Sequence, residues 1–169
     1  MSEIRVDNIT DEAGTGAPEI VDHYKKSNIL GTVSESGGVP TGAIIERGSN
    51  ANGEFIKYAD GTMICSVRDL TLPINSGSLD NIMETAWVFP VSFIDLTNLS
   101  TSMSIRNNAA NFVDFTDWSS TQVRERMTSS YANTTMSTTS VLIGQNFDRA
   151  VPSEATLTGV CASAIGRWF

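Results

Sequence analysis

From Thr41 to Phe169 the chain is cut into short apolar segments by clusters of Gly, Asn, Ser and Asp, and this punctuation limits the fold more than any other feature. Segments this short cannot form helices that bury a face, and their spacing is that of an all-β sandwich or barrel. Candidate strands cover 43–47, 54–59, 62–68, 86–93, 101–106, 111–115, 122–128, 140–144 and 156–169. The clearest hairpin is residues 54–67 (EFIKYADGTMICSV). Asp60-Gly61 is the dipeptide preferred in a two-residue type I′ turn, where both central positions need positive φ. Met63, Cys65 and Val67 then share one face of the return strand. Residues 76–78 (SGS) and 107–111 (NNAAN) read as loops, and 79–83 as a brief helical turn. Ser, Thr and Asn crowd the stretch 98–139, as suits sheets that are solvated or packed against other subunits without charge repulsion. No repeat of fixed period marks a solenoid or propeller.

Residues 1–40 have a different texture. Their apolar patches are sparse: Ile4, Val6 and Ile9, then Ile20, Val21 and Tyr24, then Ile29, Leu30 and Val33. Such patches cannot close a core by themselves and call for another chain. Pro18 suits a first helical position and places Ile20, Val21 and Tyr24 on one face of two helical turns; an extended arm accommodates the same residues. Ile20, Val21, Tyr24, Ile29 and Leu30 are therefore the docking candidates, and 34–40 (SESGGVP) reads as the linker out of the arm. The expected organisation is an arm and linker at 1–40 followed by one β-domain at 41–169.

The 169 residues, 40% of them hydrophobic, suffice for one core of ordinary size. A net charge of −8, with Lys25-Lys26 as the sole cationic doublet, argues against nucleic acid or an anionic membrane as partner. No run of membrane-spanning length occurs, and the first residues lack a signal-peptide core, so a soluble product made in a cytoplasm is expected. Cys65 and Cys161 each lie in an apolar strand context and are read as buried free thiols. With His23 the one histidine, no metal or other cofactor is expected.

No nucleophile elbow, phosphate loop, HExxH or CxxC signature appears, and the isolated acids Asp114, Asp117 and Glu125 lack a spacing that marks a glycosidase pair. The expectation is a binding protein, not an enzyme. Residues 112–120 (FVDFTDWSS) set Asp114, Asp117 and Trp118 in a polar loop, with Arg124 following. An aromatic platform beside carboxylate and guanidinium groups complements the apolar face and hydroxyl rim of a sugar, so these four are the ligand candidates. Trp87, Phe89, Phe93 and Trp168 are expected in core or intersubunit packing.

Residues 47–65 (RGSNANGEFIKYADGTMIC) closely resemble a phrase from C-terminal domains of bacteriophage tail-fibre proteins: a Gly-Ser-Asn-rich turn, an aromatic strand, Ala-Asp-Gly-Thr, then Ile-Cys. Residues 87–93 (WVFPVSF) and 164–169 (AIGRWF) are similar to two further strands of that family, and 9–18 (ITDEAGTGAP) resembles the start of many short phage structural proteins. The resemblance implies a compact antiparallel β-sandwich of the H-type-lectin kind, assembled as a homotrimer. It also implies a virion location in tail or fibre, an arm docked on other virion proteins, and a tip that attaches to host cell-surface polysaccharide. A purely structural virion role without a glycan site is the alternative. In either case the terminal apolar strand ending at Trp168-Phe169 should lie inside the sheet.

Overall fold

A computed structural model of the chain describes residues 29–74, 81–106, 111–115, 121–123, 127–131 and 136–169, with the backbone path alone at 128–131. The described residues are built from antiparallel sheets, as the punctuated sequence requires. The larger sheet holds β3 (Ile45–Asn50), β4 (Gly53–Tyr58), β5 (Thr62–Pro73), β11 (Thr156–Arg167) and β7 (Ser100–Ile105) in that order, and β8 (Phe112–Val113) also pairs with β11. The smaller sheet is ordered β6 (Ile82–Val88), β10 (Ser140–Phe147), β9 (Met127–Tyr131). No helix among the described residues is long and apolar enough to cross a membrane.

β11 is the spine. It pairs along its length with β5 on one side and with β7 and β8 on the other, so the final strand lies inside the sheet as expected. Period-two alternation assigns its faces: Ala162 and Ala164 are buried, whereas Ser163 is half-buried and Ile165 exposed. Opposite them on β5, Met63 and Cys65 are fully buried and Val67 packs on the core. The smaller sheet contributes Met83, Trp87, Val141, Ile143 and Phe147 to the same cluster. One core thus joins the inner faces of two sheets. Trp87 Nε1 donates to Asn52 O at 2.9 Å, and Asn50 Nδ2 donates to Pro90 O at 2.9 Å. Trp87, Phe89 and Phe93 stack edge to face at 5.0 Å, the packing role expected of them.

Several local expectations change. Within the stretch read as a linker, β1 (Val33–Ser36) and β2 (Val39–Gly42) form a hairpin, with Ser36 opposite Val39. Its two-residue loop is Gly37-Gly38, at φ 60° and 82°, so the type I′ geometry occurs here, where glycine carries positive φ without strain. The arm's Val33 is 4% exposed and its amide donates to Glu46 Oε2, so this residue of the third patch finds its partner within the chain. At Ala59-Asp60-Gly61 the loop is three residues long. Gly61 has φ 90°, Asp60 is not in the positive-φ region, and Gly61 N donates to Tyr58 O at 3.1 Å. That is a type I turn followed by a left-handed glycine, in place of type I′.

Ile82 and Met83 belong to β6, where a helical turn was expected, and Phe89–Phe93 leaves the strand after Val88. Cys161 is half-buried instead of sharing the core with Cys65, because it lies on the opposite face of the sheet.

Candidate functional site

The larger sheet is amphipathic on its outer face too. Antiparallel pairing places Arg47, Ile56, Ile64, Ile165 and Ser100 side by side across five strands. The next row on that face is Ser49, Glu54, Ser66, Ser163 and Ser102. Cys161 pairs with Ser104 beyond it. Rows on one face lie two residues apart, roughly 7 Å. An isoleucine ladder therefore runs alongside a hydroxyl ladder. Ile56 and Ile64 are half-buried and Ile165 is exposed.

Three shallow depressions follow the hydroxyl side of this face. The first, about 240 Å³, is lined by Ser66, Arg68, Ser102, Ser104, Cys161 and Ser163 among others. The second, about 290 Å³, shares Ser66, Val67 and Arg68 with it and adds Ser49, Asn50 and Glu54. The third, about 270 Å³, shares Ser49 and Glu54 with the second and adds Arg47 and Gly48. Shared lining makes them one trough crossing from β7 to β3. Ser102 Oγ and Ser163 Oγ are hydrogen-bonded at 2.9 Å on its floor.

At the β7 end, Arg106 Nη2 pairs with Asp69 Oδ1 at 2.5 Å. Its guanidinium is held above the ordinary arginine value, first by the hydrogen bond with the Cys161 side chain and then by Asp69. Asp69 is one of two described non-glycine residues with positive φ, at 60°, where the register between β5 and β11 shifts. By contrast, no ion pair joins Arg47 or Arg68 to any described residue. Among the described residues, no group of three or more His, Cys, Asp or Glu is placed to hold a metal ion.

Of the four ligand candidates from the sequence, Asp117, Trp118 and Arg124 lie outside the described residues. Asp114 is exposed at φ 58°, directly after β8, and is not part of the trough. Among the docking candidates, Ile20, Val21 and Tyr24 lie outside the described residues. Ile29 and Leu30 are 44% and 48% exposed, and Leu30 forms a parallel bridge to Ile45 at the edge of the larger sheet. The trough residues carried no chemical signature in the sequence. Their one signal is the alternation of Ile64 with Ser66 and of Ser163 with Ile165, which puts hydroxyls and methyls on the face turned away from the core.

No protein-family model matches the chain, and no curated protein matches it in sequence. Among solved structures, the fibre of the P. aeruginosa R1 pyocin, comprising C-terminal residues 323-701, aligns with 70% of this chain at 14% identity and a TM-score of 0.40. The alignment spans 27% of that fibre chain. A superposition this loose carries no inference about fold or function.

Proposed function

We propose that this chain is a virion fibre protein of a tailed phage, whose β-sandwich forms a homotrimeric tip that attaches the virion to host cell-surface glycan. The fibre part rests on the phrase at 47–65 and its companions at 87–93 and 164–169. The observation that carries the glycan part is the pairing of the isoleucine ladder with the serine-lined trough. A sugar ring presents C–H on one face and hydroxyls at its rim, and adjacent apolar and hydroxyl rows complement both. A shallow site binds weakly, and three copies on one virion tip multiply weak affinity through effective concentration. The work is attachment without bond cleavage, and the arm at residues 1–40 supplies the link to other virion proteins.

Filling the trough tests this reading. Ser102→Trp and Ser163→Leu project from the outer face and should abolish binding to host cells while circular dichroism stays unchanged. Undiminished binding removes the trough from the function, and release of reducing ends from host polysaccharide would replace attachment with catalysis. The same isoleucine ladder favours a second reading, in which another virion protein covers this face and the chain is purely structural. Tight association with virions but no cell binding is the outcome that favours it.

A further inference from the structure

We propose that the trough selects an acidic polysaccharide, one whose carboxylate or phosphate groups recur along the polymer, held by Arg47 at one end and Arg68 near the middle. This rests on the glycan reading and adds the charge of the ligand. The chain as a whole carries 19 acidic and 11 basic side chains, yet the lining of the trough holds two arginines against one acid, Glu54. The local sign is thus inverted on an acidic protein. Among the described residues no carboxylate pairs with either guanidinium. A planar guanidinium fork matches carboxylate and phosphate oxygens in a bidentate way that an ammonium does not.

Spacing separates a polymer from a small anion. Register sets Arg47 level with Ile64, through Ile56, and Arg68 lies four residues further along β5. Two strand spacings sideways and four residues lengthwise put the two backbones roughly 16 Å apart. Guanidiniums standing off the sheet over these two positions form two separate anion points, and charges repeating along a saccharide can occupy both. Glu54 lines the trough together with each of them and opposes dense charge. Single- or double-stranded nucleic acid, with its closely spaced phosphates, is therefore disfavoured.

The test is retention of the purified full chain on immobilised polygalacturonate, dextran, galactan and single-stranded DNA, with Arg47→Gln, Arg68→Gln and the double variant. Circular dichroism and native mass check that each variant keeps its fold and assembly. Polygalacturonate should be retained in preference to both neutral polymers. The double variant should lose about tenfold or more of that retention, and free galacturonic acid should compete far less well than the polymer. Equal retention of neutral and acidic glycans, or an unaffected double variant, overturns the charge assignment while leaving glycan binding intact. Retention of none of the glycans removes both readings. Equal retention of DNA reduces the effect to unspecific polyanion binding, and a changed native mass makes the arginines part of an interface between copies; either overturns the proposal.

Discussion

The two cysteines show how the parity of a strand decides chemistry. Cys65 faces inward, is 0% exposed, and its Sγ donates to Val91 O at 3.8 Å. Burial pushes its thiol up to about 11, with the Val91 backbone and nearby Lys57 pulling the other way. Cys161 faces outward beside Ser104 and is half-buried. Iodoacetamide at pH 8 should therefore modify Cys161 in the native protein and Cys65 only in denaturant, since the thiolate is the nucleophile. Modification of both thiols at equal rates, followed by mass spectrometry, would contradict this placement. A pH effect follows from the same burial. The folded thiol keeps its proton up to about 11 while the unfolded one loses it near 9, so stability present below pH 9 declines between those values. Thermal unfolding from pH 8 to 11 should fall more steeply in the parent protein than in Cys65→Ala, which lacks that titration.

At the scale of elements, the C-terminus acts as a clamp on the β4–β5 turn. Trp168 Nε1 donates to Tyr58 O at 2.9 Å, Trp168 N donates to Gly61 O at 3.0 Å, and Arg167 Nη2 donates to Asp60 O at 3.1 Å. These bonds satisfy carbonyls of the turn, and a Cβ on Gly61 would collide with the Arg167 guanidinium. Trp168→Ala removes one of the bonds and the ring packed under Lys57 at 5.4 Å. It should cost about 2–4 kcal/mol, read as a lower urea midpoint with an unchanged slope. A variant as stable as the parent would leave the clamp without energetic weight. Asp60 Oδ1 also accepts the Thr62 amide, which holds its carboxyl below the ordinary value, so this contribution is present at neutral pH and fades as acid protonates it.

The hairpin itself was legible in the alternation of 54–67, because its hydrogen bonds and its apolar contacts are local. The turn type was not, since its partners Arg167 and Trp168 come from the far end of the chain. Likewise the faces of β11 cannot be counted off its sequence. The register shift between Leu157 and Val160 puts an extra residue on β11 and resets the parity that would otherwise predict Cys161 inside, whereas the shift between Val160 and Ala162 puts its extra residue on β5. The trough escaped sequence reading for a related reason: serines and arginines acquire meaning only when five strands bring them onto one face.

For the whole molecule, assembly and attachment should answer salt in opposite ways. Each copy carries a net charge of −8, so bringing three together works against mutual repulsion, and screening that repulsion favours the trimer. Contact of Arg47 and Arg68 with an acidic polymer is attraction between opposite charges, which screening weakens. Exposed apolar side chains such as Val88, Ile94 and Leu96 would give the proposed trimer contact area that does not depend on salt. Native mass at micromolar concentration should thus be three times 18.2 kDa and hold or strengthen as sodium chloride rises from about 0.05 to about 0.5 M. Polygalacturonate retention should fall over the same range. A mass of 18.2 kDa throughout removes the trimer, and attachment would then rest on the affinity of one shallow trough, without the gain that three linked sites provide. If retention and trimer both weaken with salt, the arginines hold the copies together, and the outer face of the larger sheet is where they meet.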